Sequence, residues 1–146
     1  RRRRPWLPLA AAAAVALFAV GGIVMVRDGE GSNDDVVAEV LDAPDVQERP
    51  FEGELAGSLT AWYSPDEAAV VVDGLDVAPV GESETYQLWL VQDSGIESVG
   101  VFRPDDDGRV SVAFDGSGLG DDALAITVEP AGGSDQPTQA PIAQTA

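Results

Sequence analysis

Cysteine, histidine and lysine are all missing from the 146 residues, and every one of the eight cationic side chains is arginine. Without cysteine there are no disulfides, no thiolate metal sites and no thiol nucleophile. Without histidine there is no imidazole base, and the usual zinc ligand sets cannot be assembled. Without lysine, Schiff-base chemistry and a phosphate-binding P-loop are excluded. Aromatic residues make up only 6% of the chain, so Trp62, Tyr86, Trp89, Phe102 and Phe114 are the expected large pieces of any core.

Positive charge is scarce and unevenly placed. Arg1 to Arg4 and Arg27 precede every acid, and all twenty-six Asp and Glu lie from Asp28 onward, against Arg49, Arg103 and Arg109. The long part therefore carries −23 and the short part +5, within a total of −18. A body this acidic repels nucleic acid, whose affinity comes mostly from neutralised phosphates, so no nucleic-acid partner is expected. With 45% hydrophobic residues, it is still expected to fold.

What the chain does have is one long uncharged run, residues 6–26, between Arg4 and Arg27. As a helix it is about 31 Å long, which matches a hydrocarbon core of about 30 Å. Trp6 stands where an interfacial aromatic would, and Pro5 and Pro8 fall at the helix start. The run predicts a single transmembrane α-helix over 6–26, with 1–5 as a basic cytoplasmic flank. Two alternatives stand beside it. A secretory signal has a shorter apolar region, about 7–15 residues, and a small-residue cleavage site that Arg27-Asp28-Gly29-Glu30 does not supply. A buried core helix would show a polar stripe. By the positive-inside rule, the arginines put the N-terminus in the cytoplasm and everything after Arg27 outside a cell membrane crossed once. A first residue that is Arg and not Met implies a piece of a longer polypeptide, its missing part cytoplasmic. Gly21 and Gly22 lie in the outer half of the run. They are either ordinary membrane-helix usage or a weak point that an intramembrane protease could unwind, since each costs about 1 kcal/mol against Ala.

Residues 27–36 read as a flexible acidic spacer. Beyond it, short apolar stretches at 36–43, 51–63, 68–72, 85–91, 96–102, 109–114 and 123–129 alternate with turn residues. They predict an all-β domain over 37–134, an antiparallel β-sandwich of about seven strands, with no convincing amphipathic helix. The stretch 85–91 alternates with both faces largely apolar, the mark of a central strand covered on both sides. Residues 135–146 read as a loose tail.

No constellation carries chemistry. Asp105-Asp106-Asp107-Gly108 lacks the alternation and trailing Glu of a calcium loop and reads as a hairpin turn. Twenty-six acids make some close carboxylate pair inevitable, so a glycosidase pair is no signal, and the hydroxyls have no His or Lys partner. The expectation is no enzyme, with no catalytic, cofactor-binding or metal-binding residue. Glu129-Pro130-Ala131-Gly132-Gly133-Ser134 reads as a strand end followed by a Gly-rich turn.

Leu59-Thr60-Ala61-Trp62-Tyr63-Ser64-Pro65, Thr85-Tyr86-Gln87-Leu88-Trp89-Leu90-Val91 and Thr127-Val128-Glu129-Pro130-Ala131-Gly132-Gly133-Ser134, with Pro137-Thr138 after it, occur in an order that closely resembles the C-terminal, extracytoplasmic domain of the anti-sigma-K factor family. The signature residues are Trp62, Tyr63, Tyr86, Leu88, Trp89, Glu129, Pro130, Gly132 and Gly133. The resemblance implies a cytoplasmic domain, absent from this chain, that restrains an extracytoplasmic-function sigma factor. It also implies release by envelope and then intramembrane proteases, with the lipid bilayer as a further partner. The family's zinc-ligand region belongs to the sigma-binding part, and no such residue can be carried over to a chain without His or Cys. A different class of function stays open: a membrane-tethered module that binds cell-envelope glycan or protein and has no link to transcription, for which exposed tryptophans would speak.

Overall fold

The computed structural model describes residues 32–146. They form α1 (Asn33–Asp42), β1 (Gln47–Gly53), β2 (Leu59–Ser64), β3 (Ala69–Gly74), β4 (Glu84–Gln92), β5 (Gly95–Phe102), β6 (Val110–Asp115), β7 (Ala123–Pro130) and β8 (Ala143–Thr145). The eight strands make one sheet in the order β5-β4-β7-β8-β1-β2-β3-β6, and every neighbouring pair is antiparallel. This corrects the expected fold class. The described residues are all-β apart from the short α1, and they form one eight-stranded sheet where a sandwich of about seven strands was expected. No helix among the described residues is long and apolar enough to cross a membrane. The run 6–26, with Gly21 and Gly22, lies outside the described residues.

One sheet forms instead of two because β1 changes partner halfway along. Gln47 to Pro50 pair with β2, and Phe51 to Gly53 pair with β8, which in turn pairs with β7. Pro50 sits at the change, where a residue with no N–H to donate does least harm to a ladder. The sheet then curls until its two edge strands meet. The Phe102 ring of β5 lies 6.4 Å from the Phe114 ring of β6. A Cβ at Gly100 would come 2.5–2.6 Å from the Phe114 ring, so only glycine admits the approach. The result is near a closed barrel. Its interior holds Phe51, Leu59, Tyr63, Val70, Val72, Tyr86, Leu88, Leu90, Phe102, Phe114, Leu124 and Ile126.

Two further expectations change. Residues 36–43, read as a first strand, are helical through Asp42, with Ala43 as the C-cap of α1. Ser32 caps it in a capping box, its hydroxyl accepting from the Asp35 N–H while the Asp35 carboxylate accepts from the Ser32 N–H. The Ser32 backbone and then side-chain hydrogen bonds hold the Asp35 carboxyl below its ordinary value. Val36, Val37 and Val40 fall on one side and pack on Ala69, Val71, Ala113 and Trp62, the outer face of β2, β3 and β6. The tail, read as loose, ends in β8, locked by Ile142 N–H to Ile126 O (2.9 Å) and by Leu124 N–H to Thr145 Oγ1 (3.0 Å).

Residues 105–108 do form a turn. Asp105 Oδ1 accepts from the N–H groups of Asp107 (3.0 Å) and Arg109 (2.8 Å). It is not a hairpin turn, however, because it joins β5 to β6, the opposite edges of the sheet.

Candidate functional site

Strand alternation sends Tyr86, Leu88 and Leu90 of β4 into the interior and Gln87 and Trp89 to the opposite face. On β7, Leu124 and Ile126 go inward, and Thr127 and Glu129 stand beside Gln87 and Thr85, their cross-strand partners. An outward face should be wet, yet Gln87, Trp89, Thr127 and Glu129 are each at most 2% exposed. The chain after β7 turns back over them. Ala131 N–H binds Ser83 O (2.8 Å) and Gly133 N–H binds Pro130 O (2.9 Å), so the reversal begins at once.

Glycine makes the reversal possible. Gly132 and Gly133 hold φ of 93° and 85°, a region that side chains with Cβ resist. At Gly133 a Cβ would also stand 2.8 Å from Val101 Cγ1 and 2.9 Å from Gln87 Oε1.

The polar groups under the strap satisfy one another. Gln87 Nε2 donates to Ser98 Oγ (2.7 Å) and to Ser134 O (2.9 Å), and Gln87 Oε1 accepts from Ser134 N–H (2.8 Å). Trp89 Nε1–H donates to Thr127 Oγ1 (2.8 Å), whose own hydroxyl donates to Glu129 Oε1 (2.6 Å). Glu129 Oε2 accepts from the hydroxyls of Ser134 (2.9 Å) and Thr138 (2.6 Å), and the Thr138 N–H reaches Oε1 at 3.0 Å and Oε2 at 3.2 Å. Burial pushes the Glu129 carboxyl up. The hydrogen bonds from Thr127, Thr138 and Ser134 together outweigh it and hold the group below its ordinary value. Glu129 is thus a buried anion whose four donor groups all come from the chain itself.

The other signature residues lie elsewhere. Tyr86 is interior, its hydroxyl donating to Ala78 O (2.8 Å), and burial followed by the Glu54 charge pushes its phenol up. Leu88 is interior and Pro130 ends β7. Tyr63 is interior on β2, with the Arg49 guanidinium 5.2 Å from its ring centre. Trp62 lies half-buried beneath α1. The structure therefore brings Trp89, Glu129 and Gly133 together with Gln87, and leaves Trp62 and Tyr63 on the other half of the sheet. Sequence reasoning missed Thr127, Ser134 and Thr138 as members of the network. Their spacing around Glu129 was the available signal, because Thr127 shares its strand face and the Gly pair returns Ser134 to it.

The donors and acceptors of this network are matched within the chain. No buried side-chain nitrogen or oxygen among the described residues lacks a partner. No group of three or more acidic side chains among them could hold a metal ion.

The family model described as "Anti-sigma-K factor rskA, C-terminal" matches residues 8–142. The chain is similar to an anti-sigma-K factor RskA of Mycobacterium sp. (strain KMS), 36% identical over 149 aligned residues that cover 99% of this chain and 58% of that protein. It is similar to the RskA of Mycobacterium ulcerans (strain Agy99), 38% identical with 92% and 57% covered. A Streptomyces griseus protein named "Uncharacterized protein in phr 5'region" is 31% identical with 94% and 63% covered. The chain thus spans less than two thirds of the length of these relatives. No solved structure matches it.

Proposed function

The chain belongs to the anti-sigma-K factor family, and from that premise we propose that it is the membrane-proximal and extracytoplasmic part of an anti-sigma factor. Its cytoplasmic portion restrains an extracytoplasmic-function sigma factor until regulated proteolysis, first outside and then within the membrane, releases it. The uncharged stretch 6–26 anchors it in the cell membrane, with the arginine-flanked end cytoplasmic and the β-domain outside. Its role is regulatory and not enzymatic.

The observation that carries this reading is the extent of the family match, which runs through the uncharged stretch and the β-domain alike. The geometry supports it in one respect. The signature residues around Glu129 are occupied in closing the domain on itself, which suits a module that must stay folded until it is cut. The rival reading, a glycan-binding module, loses its best support, since Trp89 is 0% exposed and Trp62 lies under α1. The test is to express the polypeptide that carries this chain with its upstream sequence and to look for a co-purifying sigma factor. Deleting that polypeptide should raise transcription from the promoter of that sigma factor. No co-purifying sigma factor, with transcription unchanged on deletion, overturns the reading.

A further inference from the structure

α1 is attached to the domain in a way that differs from every strand. It has 10 residues, below the length at which an isolated helix is stable in water. Its last turn carries Asp42 and no basic residue, so the negative end of the helix faces an acid. The Ser32–Asp35 capping box and the acidic first turn help its N-terminal end, but a helix this short still depends on docking. The docking set is small. Val40 is its one buried residue, Val36 and Val37 are half-buried, and of the partners Ala69, Val71 and Ala113 are small while Trp62 is itself only half-buried. One polar tie is added. Asn33 imitates a neighbouring strand at the β6 edge, its carboxamide donating to Ser111 O (3.1 Å) and accepting from Ala113 N–H (3.0 Å).

The residues α1 covers form a cluster separate from the interior, with the sheet between them. The helix can therefore leave without opening the barrel. Its exit is anchored at the far end. Asp45 accepts from Ser64 Oγ (2.7 Å) and Asp66 N–H (2.8 Å), which fixes the chain just after Ala43 and Pro44. The extended backbone at Ala43 (φ −63°, ψ 137°) marks the pivot between helix and anchor.

We propose that α1 is a latch, a unit that lifts off the outer face of β2, β3 and β6 about residues 43–44 while the barrel stays closed. Lifting unfolds α1, uncovers Trp62 and makes the backbone of residues 33–43 a substrate for a protease that could not bind it as a docked helix. Only that last consequence touches the function proposed above, and it rests on it. The latch itself is a property of this chain.

Hydrogen exchange by mass spectrometry on the full 146-residue chain in detergent, followed by brief thermolysin digestion, tests it. Expected for the native chain is exchange of the α1 amides far faster than that of β4 and β7, with early cuts within 33–43. Val40→Ala should speed α1 exchange and those cuts about tenfold or more and leave β4 and β7 exchange unchanged. Asp42→Lys, at an exposed position, should slow both by roughly two- to fivefold through the helix dipole. Exchange of α1 only together with β4 and β7, or Val40→Ala speeding all of them equally, overturns the latch. Sigma-factor binding does not enter either measurement, so failure of the latch and failure of the functional reading are told apart.

Discussion

Replacing Glu129 by glutamine isolates the charge at the centre of the buried network. A glutamine whose oxygen takes the Oε1 position keeps the Thr127 hydroxyl and the Thr138 N–H as donors. Its NH₂ then meets the Ser134 and Thr138 hydroxyls, which rotate to accept. Both N–H donors keep a partner, so the loss is the charge assistance on these contacts and the acceptor of the Ser134 and Thr138 hydroxyl hydrogens, reduced by the relief of a buried charge. The net cost is about 2 kcal/mol at neutral pH, which lowers Tm by roughly 10 °C for a domain of this size. Glu129→Ala strands the Thr138 N–H and leaves a cavity, and should cost about 3–5 kcal/mol. The pH dependence has a definite sign. A carboxyl held below its ordinary value of about 4.3 contributes stability that is complete above that value and is lost as pH falls through the depressed one. The gap between native chain and Glu129→Gln should therefore be widest at pH 7 and close towards the acid end, since glutamine does not titrate. Urea unfolding followed by tryptophan fluorescence at a series of pH values measures it. A gap absent at pH 7, or of the same size in acid, refutes the account of Glu129 as a saturated anion.

The Gly pair gives a graded comparison. Gly132→Ala meets open space and should cost about 1 kcal/mol, whereas Gly133→Ala also runs into Gln87 and Val101 and should cost about 2–3 kcal/mol, both read from urea midpoints. Deleting residues 143–146 unpairs Phe51 to Gly53 of β1 and Ala125 and Ile126 of β7 and removes the acceptor of the Leu124 N–H, so several kcal/mol should be lost; an unchanged unfolding midpoint would show that β8 is dispensable. Arg49 and Arg103 donate to the main-chain carbonyls of Asp122 and Gly120, and of Val80, Gly81 and Glu84, in a domain with twenty-four acids and three arginines. Self-repulsion is then largely unrelieved, and raising NaCl from low to about 0.5 M should raise Tm, the opposite of a fold held by surface ion pairs.

How much of this was legible depended on whether a residue's neighbours lie close in sequence. β4 was plain, because Tyr86 to Val91 alternate and both of its faces are buried by the sheet's curl and the returning strap. β6 and β7 were read to within a residue of their ends, because turn residues bound a short apolar stretch on either side of each. α1 was misread because Val36, Val37 and Val40 in a short apolar stretch fit a strand as readily as a helix turn. The capping signal, Ser32 with Asp35 three residues on, was present and would have decided it. β8 could not be seen at all. Ala143-Gln144-Thr145 has no strand pattern of its own, and it is a strand because β1 and β7 leave a gap of one strand's width between them.

That gap explains why the network around Glu129 exists. β8 reaches its slot only if residues 131–142 recross the outer face of β4 and β7, and a strap crossing a sheet buries whatever lies beneath it. Alternation had already assigned that face to Gln87, Trp89, Thr127 and Glu129. Burying these polar groups is tolerable only when every donor and acceptor is matched. The Gly pair, Ser134 and Thr138 supply the match from the strap itself. The stretch from Glu129 to Thr138 is in this sense one device, a strand end, a reversal and the donors that seal the carboxylate. Its tightness is what allows the last strand to close the barrel while α1, on the opposite half of the sheet, is left with a few valines and one asparagine to hold it.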